Sequence, residues 1–375
     1  MKLLLLLPLL TLMISCATTN TKQDSITSGP VVANANAPSK SDSVPAVKRE
    51  SAIQPRGLDF GATIKSVAFG SSANQDLPQP IWTTILNQKP DVFLYMGDTI
   101  QTLKPEQKPI GEQYKKLNKI PEFRAFREKI PFLVTWNDLD YGKEHGGADY
   151  GDKENSKKEF LRNWTYVRDS ISMGQGGIYH AKIIGPKKKM VQFIMLDTRS
   201  FRSPLSQEED SANNSIKITP NIDAKAIVLG NDQWEWFEAQ LKRPAQVRFI
   251  VTSIPLIPME KGLEKWANFP KERQRFFDLL KRTHARNVII LSGDRHQGSI
   301  AKTALKDWGP LFEVTSSPIN EPSETAEKDS SFEGEAFNVE NFGLALIDWT
   351  NHKISIQLKN KDDKVLNAIT YKLQL

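Results

Sequence analysis

Asp98, Asp138 and Asp294 each stand a few residues past a short apolar run, in the segments Gly97-Asp98, Trp136-Asn137-Asp138-Leu139-Asp140 and Ser292-Gly293-Asp294-Arg295-His296. A carboxylate at the lip of a buried strand loses hydration, at a cost of several kcal/mol, unless a cation or hydrogen bonds compensate. Several such acids at one rim would also repel one another. A hard cation removes that repulsion, and carboxylate oxygens are the donors that calcium, magnesium or manganese prefer. His296, two residues after Asp294, adds a nitrogen donor. One Gly-Asp after a strand is better explained by a turn that caps the next helix. Three cases in one chain, the last extended to Asp-x-His, point to a metal centre.

The elements that must position these groups follow from apolar patterning. Runs at 63–69, 91–96, 131–136, 190–196, 247–253, 287–292 and 311–315 are β-branched and aliphatic, as expected of fully buried strands. Helical patterns at 79–88, 111–128, 154–169, 231–242 and 270–284 alternate with them, the last opened by Pro270. The carboxyl end, 342–349, 353–359 and 368–375, reads as strand only, and the Ser-, Glu- and Asn-rich stretch 320–338 as an exposed loop. Composition and order imply an α/β protein. The Trp234, Trp236 and Phe237 spacing suits a helix packed on the sheet.

In their order along the chain, several further landmarks join the acids: Val67-Ala68-Phe69-Gly70-Ser71-Ser72, Gly176-Gly177-Ile178-Tyr179-His180, Leu196-Asp197-Thr198-Arg199, Gln233-Trp234 and Trp266-Ala267-Asn268-Phe269-Pro270. With them the chain resembles the PhoD-like (alkaline phosphatase D) metallophosphoesterases over about residues 64–320. The resemblance implies a four-layer α/β/β/α sandwich across 57–375, with Asp98, Asp138, Asp294 and His296 as metal ligands.

The departures from that family carry as much information. Ser72 stands where the family has a cysteine ligand, and Gln101 where it has a tyrosine ligand. Asn137 and Leu139 replace the first aspartate and the active-site histidine of its Trp-Asp-Asp-His-Asp motif. Serine and glutamine are neutral, weaker ligands that leave a trivalent ion undercharged, so the iron site is expected to be lost. One divalent ion (calcium, magnesium or manganese) on the three aspartates is expected to remain. The family's histidine stabilises charge on the leaving side; losing such a group costs about 10²- to 10⁴-fold.

His145, in Glu144-His145-Gly146-Gly147, is the candidate catalytic replacement, with a solvated loop histidine as the plainer alternative. Arg199 and Arg295 are candidates to hold a phosphate by bidentate contact, or else partners for nearby carboxylates. Asp197 is expected to orient Arg199 or its loop.

Residues 3–14 form an apolar run of signal-peptide length, too short to span a bilayer, ending at Ser15-Cys16. This resembles a bacterial lipoprotein signal, with Cys16 as the acylated residue and residues 1–16 as the signal. Ala17 after it favours the outer membrane or periplasm over the inner membrane. Cys16 is the single cysteine, which excludes an internal disulfide. Residues 17–56 have almost no large apolar side chains and read as a disordered tether. The formal net charge of +6 is spread out, and Lys187-Lys188-Lys189 lacks interleaved aromatics, so specific nucleic-acid binding is not expected.

Two functions follow. The first is an envelope lipoprotein hydrolysing phosphomonoesters or phosphodiesters with weakened catalysis. The second is a catalytically silent relative, a pseudoenzyme, that binds a divalent metal and a phosphate-bearing small molecule or envelope polymer.

Overall fold

The computed structural model describes residues 53–103, 108–210, 215–260 and 262–374. The expected signal peptide, Cys16 and the tether up to residue 52 lie outside the described residues. By Arg56 the chain is already docked, its N–H donating to the Arg127 carbonyl at 3.1 Å.

The first half of the chain builds β1 (Ser66–Gly70), α1 (Ile81–Asn87), β2 (Val92–Met96), α2 (Ile110–Leu117), α3 (Pro121–Lys129) and β3 (Phe132–Thr135). One helical turn, α4 (Asp138–Tyr141), leads into α5 (Lys153–Asn163), α6 (Thr165–Arg168), β4 (His180–Ile184) and β5 (Val191–Met195). A hairpin of β6 (Ser206–Asp210) and β7 (Ser215–Thr219) precedes α7 (Asn231–Leu241), β8 (Val247–Val251), α8 (Pro270–Arg282) and β9 (Val288–Ser292). The chain closes with β10 (Ser299–Leu305), β11 (Gly309–Thr315), β12 (Asn341–Asp348), β13 (Lys353–Asn360) and β14 (Val365–Lys372).

These strands form two six-stranded sheets, in the orders β14-β13-β12-β1-β2-β3 and β10-β11-β9-β8-β5-β4. Alternation along each strand explains why they stack. In β2, Val92, Leu94 and Met96 face a core shared with Phe193, Phe249 and Leu291 of the other sheet. Phe93 and Tyr95 point the opposite way, into a layer built from Trp82, Phe123, Phe126 and Phe160. On the far side of the second sheet, Ile194, Ile250 and Ile290 meet Trp234, Phe237, Phe276 and Leu280 of α7 and α8. The result is the expected α/β/β/α sandwich.

Differences from the sequence expectation have local causes. The helix expected over 111–128 is two helices, because Pro121 pushes Ile120 into extended backbone (φ −66°, ψ 117°) and restarts the helix as its first residue. The helix expected over 154–169 breaks at Trp164, whose φ of −108° and ψ of 68° are not helical. Strands β4, β6, β7 and β10 were not expected; β6 and β10 carry charged or small residues rather than an apolar run.

The topology sets the site. Strands β1, β2 and β3 are mutually parallel, as are β5, β8, β9 and β11. Their carboxyl ends therefore open in one direction in each sheet, where ligand crevices of α/β sheets form. Asp98 follows β2, Asn137 and Asp138 follow β3, Asp197 follows β5 and Asp294 follows β9.

Candidate metal centre

Five residues around this rim hold positive φ without being glycine: Ser72 (58°), Asp98 (53°), His145 (51°), Asp294 (72°) and His296 (51°). Left-handed backbone of this kind costs about 1–3 kcal/mol per residue and persists where surrounding contacts impose it. Gly97, at φ 102°, is a site of close approach. A Cβ there would lie 2.7 Å from the Asn137 Cβ, so only glycine lets the loops after β2 and β3 touch.

Carboxylate oxygens of Asp98, Asp138 and Asp294 lie within 4.8 Å of one another. Among them sits the amide nitrogen of Asn137, donating to Asp294 Oδ1 at 2.7 Å, Asp98 Oδ2 at 2.9 Å and Asp138 Oδ1 at 3.2 Å. A neutral amide satisfies lone pairs but leaves the charge. Burial, followed by repulsion from Asp138, Asp140 and Asp294, accordingly holds the Asp98 carboxyl well above the usual range. Burial raises Asp138 as well, and Arg199 only partly offsets it. Burial likewise pushes Asp140 up to about 6, although it accepts from the Thr99 N–H at 2.9 Å and from the Asn137 N–H at 3.2 Å. Arg295 and Arg199 offset only part of this charge, so the three carboxylates form an oxygen donor set that could hold a metal ion.

A second group gathers around Glu264, a residue missed in the sequence. Glu264 is fully buried. Arg199 Nη1 donates to both its oxygens at 2.9 and 3.0 Å, and Arg202 Nε lies 3.0 Å from Oε1. Burial alone would raise its carboxyl, but Arg199 and then Arg202 hold it well below the usual range. His145 Nδ1 donates to Glu264 Oε2 at 3.0 Å, while its backbone N–H reaches Asp138 Oδ2 at 2.9 Å. The His145 side chain is 34% exposed, at the edge of the cluster. Burial opposes its protonation, yet the bond to Glu264, with Asp138 and Asp294 nearby, raises its pKa above the ordinary value.

Both candidate phosphate-binding arginines are directed at protein groups. Arg199 is buried, with Nε (2.9 Å) and Nη2 both on Asn137 Oδ1 and Nη1 on Glu264. Arg295 donates from Nη1 to Asp294 Oδ2 at 2.8 Å and from Nε and Nη2 to Glu327 Oε1 at 2.7 and 2.6 Å. Asp197 accepts from Trp136 Nε1 and from the N–H groups of Arg199 and Ser200, and so braces the loop after β5.

The other half of the rim is built from neutral side chains backed by Glu321. Ser72 Oγ lies 3.4 Å from Asp98 Oδ2 and accepts from Ser317 Oγ at 2.9 Å. Gln101 Nε2 donates to Glu321 Oε2 at 3.1 Å. His296 Nδ1 donates to the Glu321 carbonyl at 2.6 Å, which leaves Nε2 as the nitrogen with a free lone pair. His296 stands outside both clusters. Ser72, Gln101 and His296 are neutral or weaker donors than a thiolate or phenolate, and the nearby Glu321 carboxylate is engaged by Gln101 and Asn74. Leu139 is buried, its N–H held by Asp98 Oδ1 at 3.1 Å.

Glu264, Glu321 and Glu327 follow no apolar run, which hid them. The one signal was proximity to Trp266, which the sequence already marked as a landmark. The stretch 320–338 is not a simple exposed loop, since Glu321 and Glu327 turn back onto the rim.

Residues 69–358 match the family model described as PhoD-like phosphatase. Alkaline phosphatase D of Bacillus subtilis (strain 168) is 20% identical over an alignment of 313 residues, covering 68% of this chain and 51% of that protein. The chain thus spans about half the length of this curated relative. A solved structure of PhoD superposes with a TM-score of 0.63 at 14% identity, covering 85% of this chain and 71% of that one. A dimetal phosphatase from Danio rerio gives 0.52 at 10% identity, covering 84% and 100%. At these identities the two structures establish the fold.

Proposed function

Because the chain belongs to the PhoD-like phosphatase family, we propose that it acts on phosphate esters with a single divalent ion, calcium, magnesium or manganese, and with weakened catalysis. The observation that carries this reading is the trio Asp98, Asp138 and Asp294, in which burial and neighbouring acids raise the Asp98 and Asp138 carboxyls, opposite the neutral side chains of Ser72 and Gln101. Such an ion would supply positive charge for a phosphoryl oxygen. The residues of the chain do the rest. Arg199 and Glu264 fix Asn137 and His145 from below, Asp140 ties the loop after β3 to Thr99, and Arg295 holds Asp294 in place. His145, at the edge of the cluster with its pKa raised by Glu264, is the group placed to give a proton to a leaving oxygen. Arg199 and Arg295 act on an incoming phosphate through their field, since their forks are engaged by carboxylates.

The second reading is a pseudoenzyme that binds metal and a phosphate-bearing small molecule or envelope polymer. Leu139, apolar and buried beside Asp98, favours it. Envelope attachment through Cys16, on the outer-membrane or periplasmic side, belongs to the same proposal. The mass of the amino-terminal peptide of the mature protein would show acylation or its absence.

The deciding experiment is elemental analysis of the purified full chain together with hydrolysis of chromogenic phosphate mono- and diesters in calcium, magnesium, manganese or iron. One tightly held divalent ion and feeble turnover are expected. One ion with no turnover selects the pseudoenzyme. Two bound metals with rapid turnover overturn both readings.

A further inference from the structure

At the opposite end of β3 from the acids, a cavity of about 350 Å³ lies between the incoming segment 55–60, the first residue of β3, α6 and β4. Leu58, Phe60, Phe132 and Trp164 give it an apolar lining. The charged residues around it are Arg56, Arg127 and Lys182 against Asp169, so three cations less one anion leave +2.

Arg127 is the unusual member. It is 6% exposed, and its guanidinium stacks over the Trp164 ring at 4.3 Å. It donates from Nη1 to Asn118 Oδ1 at 2.8 Å and from Nη2 to the Asn163 carbonyl at 2.7 Å, both neutral acceptors. Among the described residues it makes no ion pair. A guanidinium carries five N–H donors, so two engaged leave three. Buried charges are normally paired, because desolvating an unpaired ion costs several kcal/mol. Burial without a carboxylate lowers the Arg127 pKa to about 10. Lys182, whose ammonium lies 6.0 Å from the Phe60 ring centroid, and Arg56 add to the same field.

We propose that this cavity binds a small amphipathic carboxylate, its head paired with Arg127 and Lys182 and its single hydrocarbon chain packed against Phe60, Phe132 and Trp164. Charge complementarity selects the head: a +2 lining with a buried cation lacking a counter-ion favours an anion over a neutral or cationic amphiphile. Volume selects the body. At about 30 Å³ per water-sized group the space holds about a dozen non-hydrogen atoms, at the small end of ligand pockets. The site shares no residue with the metal centre, so it stands or falls apart from the phosphoester reading.

The test is calorimetric titration of the full chain with decanoate below its micelle concentration, compared with decanol and decyltrimethylammonium. Decanoate is expected to saturate one site at least about tenfold more tightly than decanol, with no binding of the cation. Lys182→Glu, at the rim, is expected to weaken decanoate about tenfold while leaving thermal melting and metal content unchanged. Arg127→Gln is expected to abolish binding; should it fail to fold, Lys182→Glu carries the decision. Equal affinity for decanol, or indifference to Lys182→Glu, overturns the proposal. So does the absence of saturable binding, which would mean that the chain's own amino-terminal residues cover the cavity. Binding that appears only with self-association would assign the face to a second copy, and overturns it equally.

Discussion

Arg199 Nε lies 2.9 Å from Asn137 Oδ1, and this contact decides which way the Asn137 amide faces. A guanidinium can only donate, so the amide oxygen must turn to Arg199 and the NH₂ to the three aspartates. Arg199 is held in turn by Glu264, both residues being buried. Fully breaking a buried pair by removing one partner costs about 3–5 kcal/mol, but without Arg199 the Glu264 carboxylate keeps Arg202 and His145. Denaturant unfolding should therefore show Arg199→Met destabilised by less than that amount, and Arg199→Met with Glu264→Leu destabilised by less than the sum of the single changes. Strict additivity would show that the pair does not organise the site.

The aspartates predict an unusual response to pH. A carboxyl raised in the folded state binds its proton more tightly there than in the unfolded chain. The folded protein is then favoured at low pH and loses that advantage as pH rises from the ordinary value to the folded one. For Asp140, raised from 3.8 to about 6, the window is about pH 4–6 and the loss about 3 kcal/mol. Asp98 and Asp138 shift in the same direction. Glu264 runs the other way: its contribution is present above the unfolded value and fades only in stronger acid. The metal-free protein should thus melt at a lower temperature at pH 7 than at pH 4.5. Calcium or manganese should raise the melting temperature more at pH 7, where fewer protons need displacing. Equal metal stabilisation at both values would refute ligation by these carboxylates.

Restoring the family residues tests whether the scaffold is otherwise intact. Ser72→Cys adds a thiolate donor 26 residues before Asp98, at a hydroxyl already 3.4 Å from its carboxylate. Gln101→Tyr adds a phenolate, and Leu139→His an imidazole beside Asp98. The triple variant should take up iron and hydrolyse a chromogenic diester about 10²-fold faster or more, the usual range for a regained acid. Unchanged iron content and rate would show that Ser317 and Glu321 have reshaped the rim around the lost ligands.

Much of this arrangement was legible before any coordinates, for one physical reason. Strands buried on both faces are continuous apolar runs, and residues at their carboxyl ends are placed by topology, so Asp98, Asp138 and Asp294 announce themselves. Side chains delivered by irregular segments leave no such trace. Glu264 comes from a loop with no periodicity, and Glu327 from a stretch whose composition reads as exposed. Arginine roles were legible only as alternatives, because a guanidinium fits a carboxylate as well as a phosphate. The structure directs Arg199 and Arg295 to carboxylates, through partners that no local pattern disclosed.

His145 offers the sharpest kinetic prediction. Its ring nitrogen bonds Glu264 at 3.0 Å, and its backbone N–H bonds Asp138, so the loop that carries it is pinned at two points to the cluster. A carboxylate behind the imidazole favours the protonated form, which is the form that can donate to a leaving oxygen. Any residual hydrolysis should then fall as pH rises through the raised His145 pKa. His145→Gln, which keeps the loop contacts while removing the titrating ring, should lower kcat about 10²-fold and flatten that alkaline limb. An activated leaving group such as p-nitrophenolate needs little protonation, so the loss should be several-fold smaller for it than for an alkyl ester. Equal losses on both ester types, or a profile unchanged by the substitution, would remove His145 from proton transfer and leave it as a brace for Asp138 and Glu264.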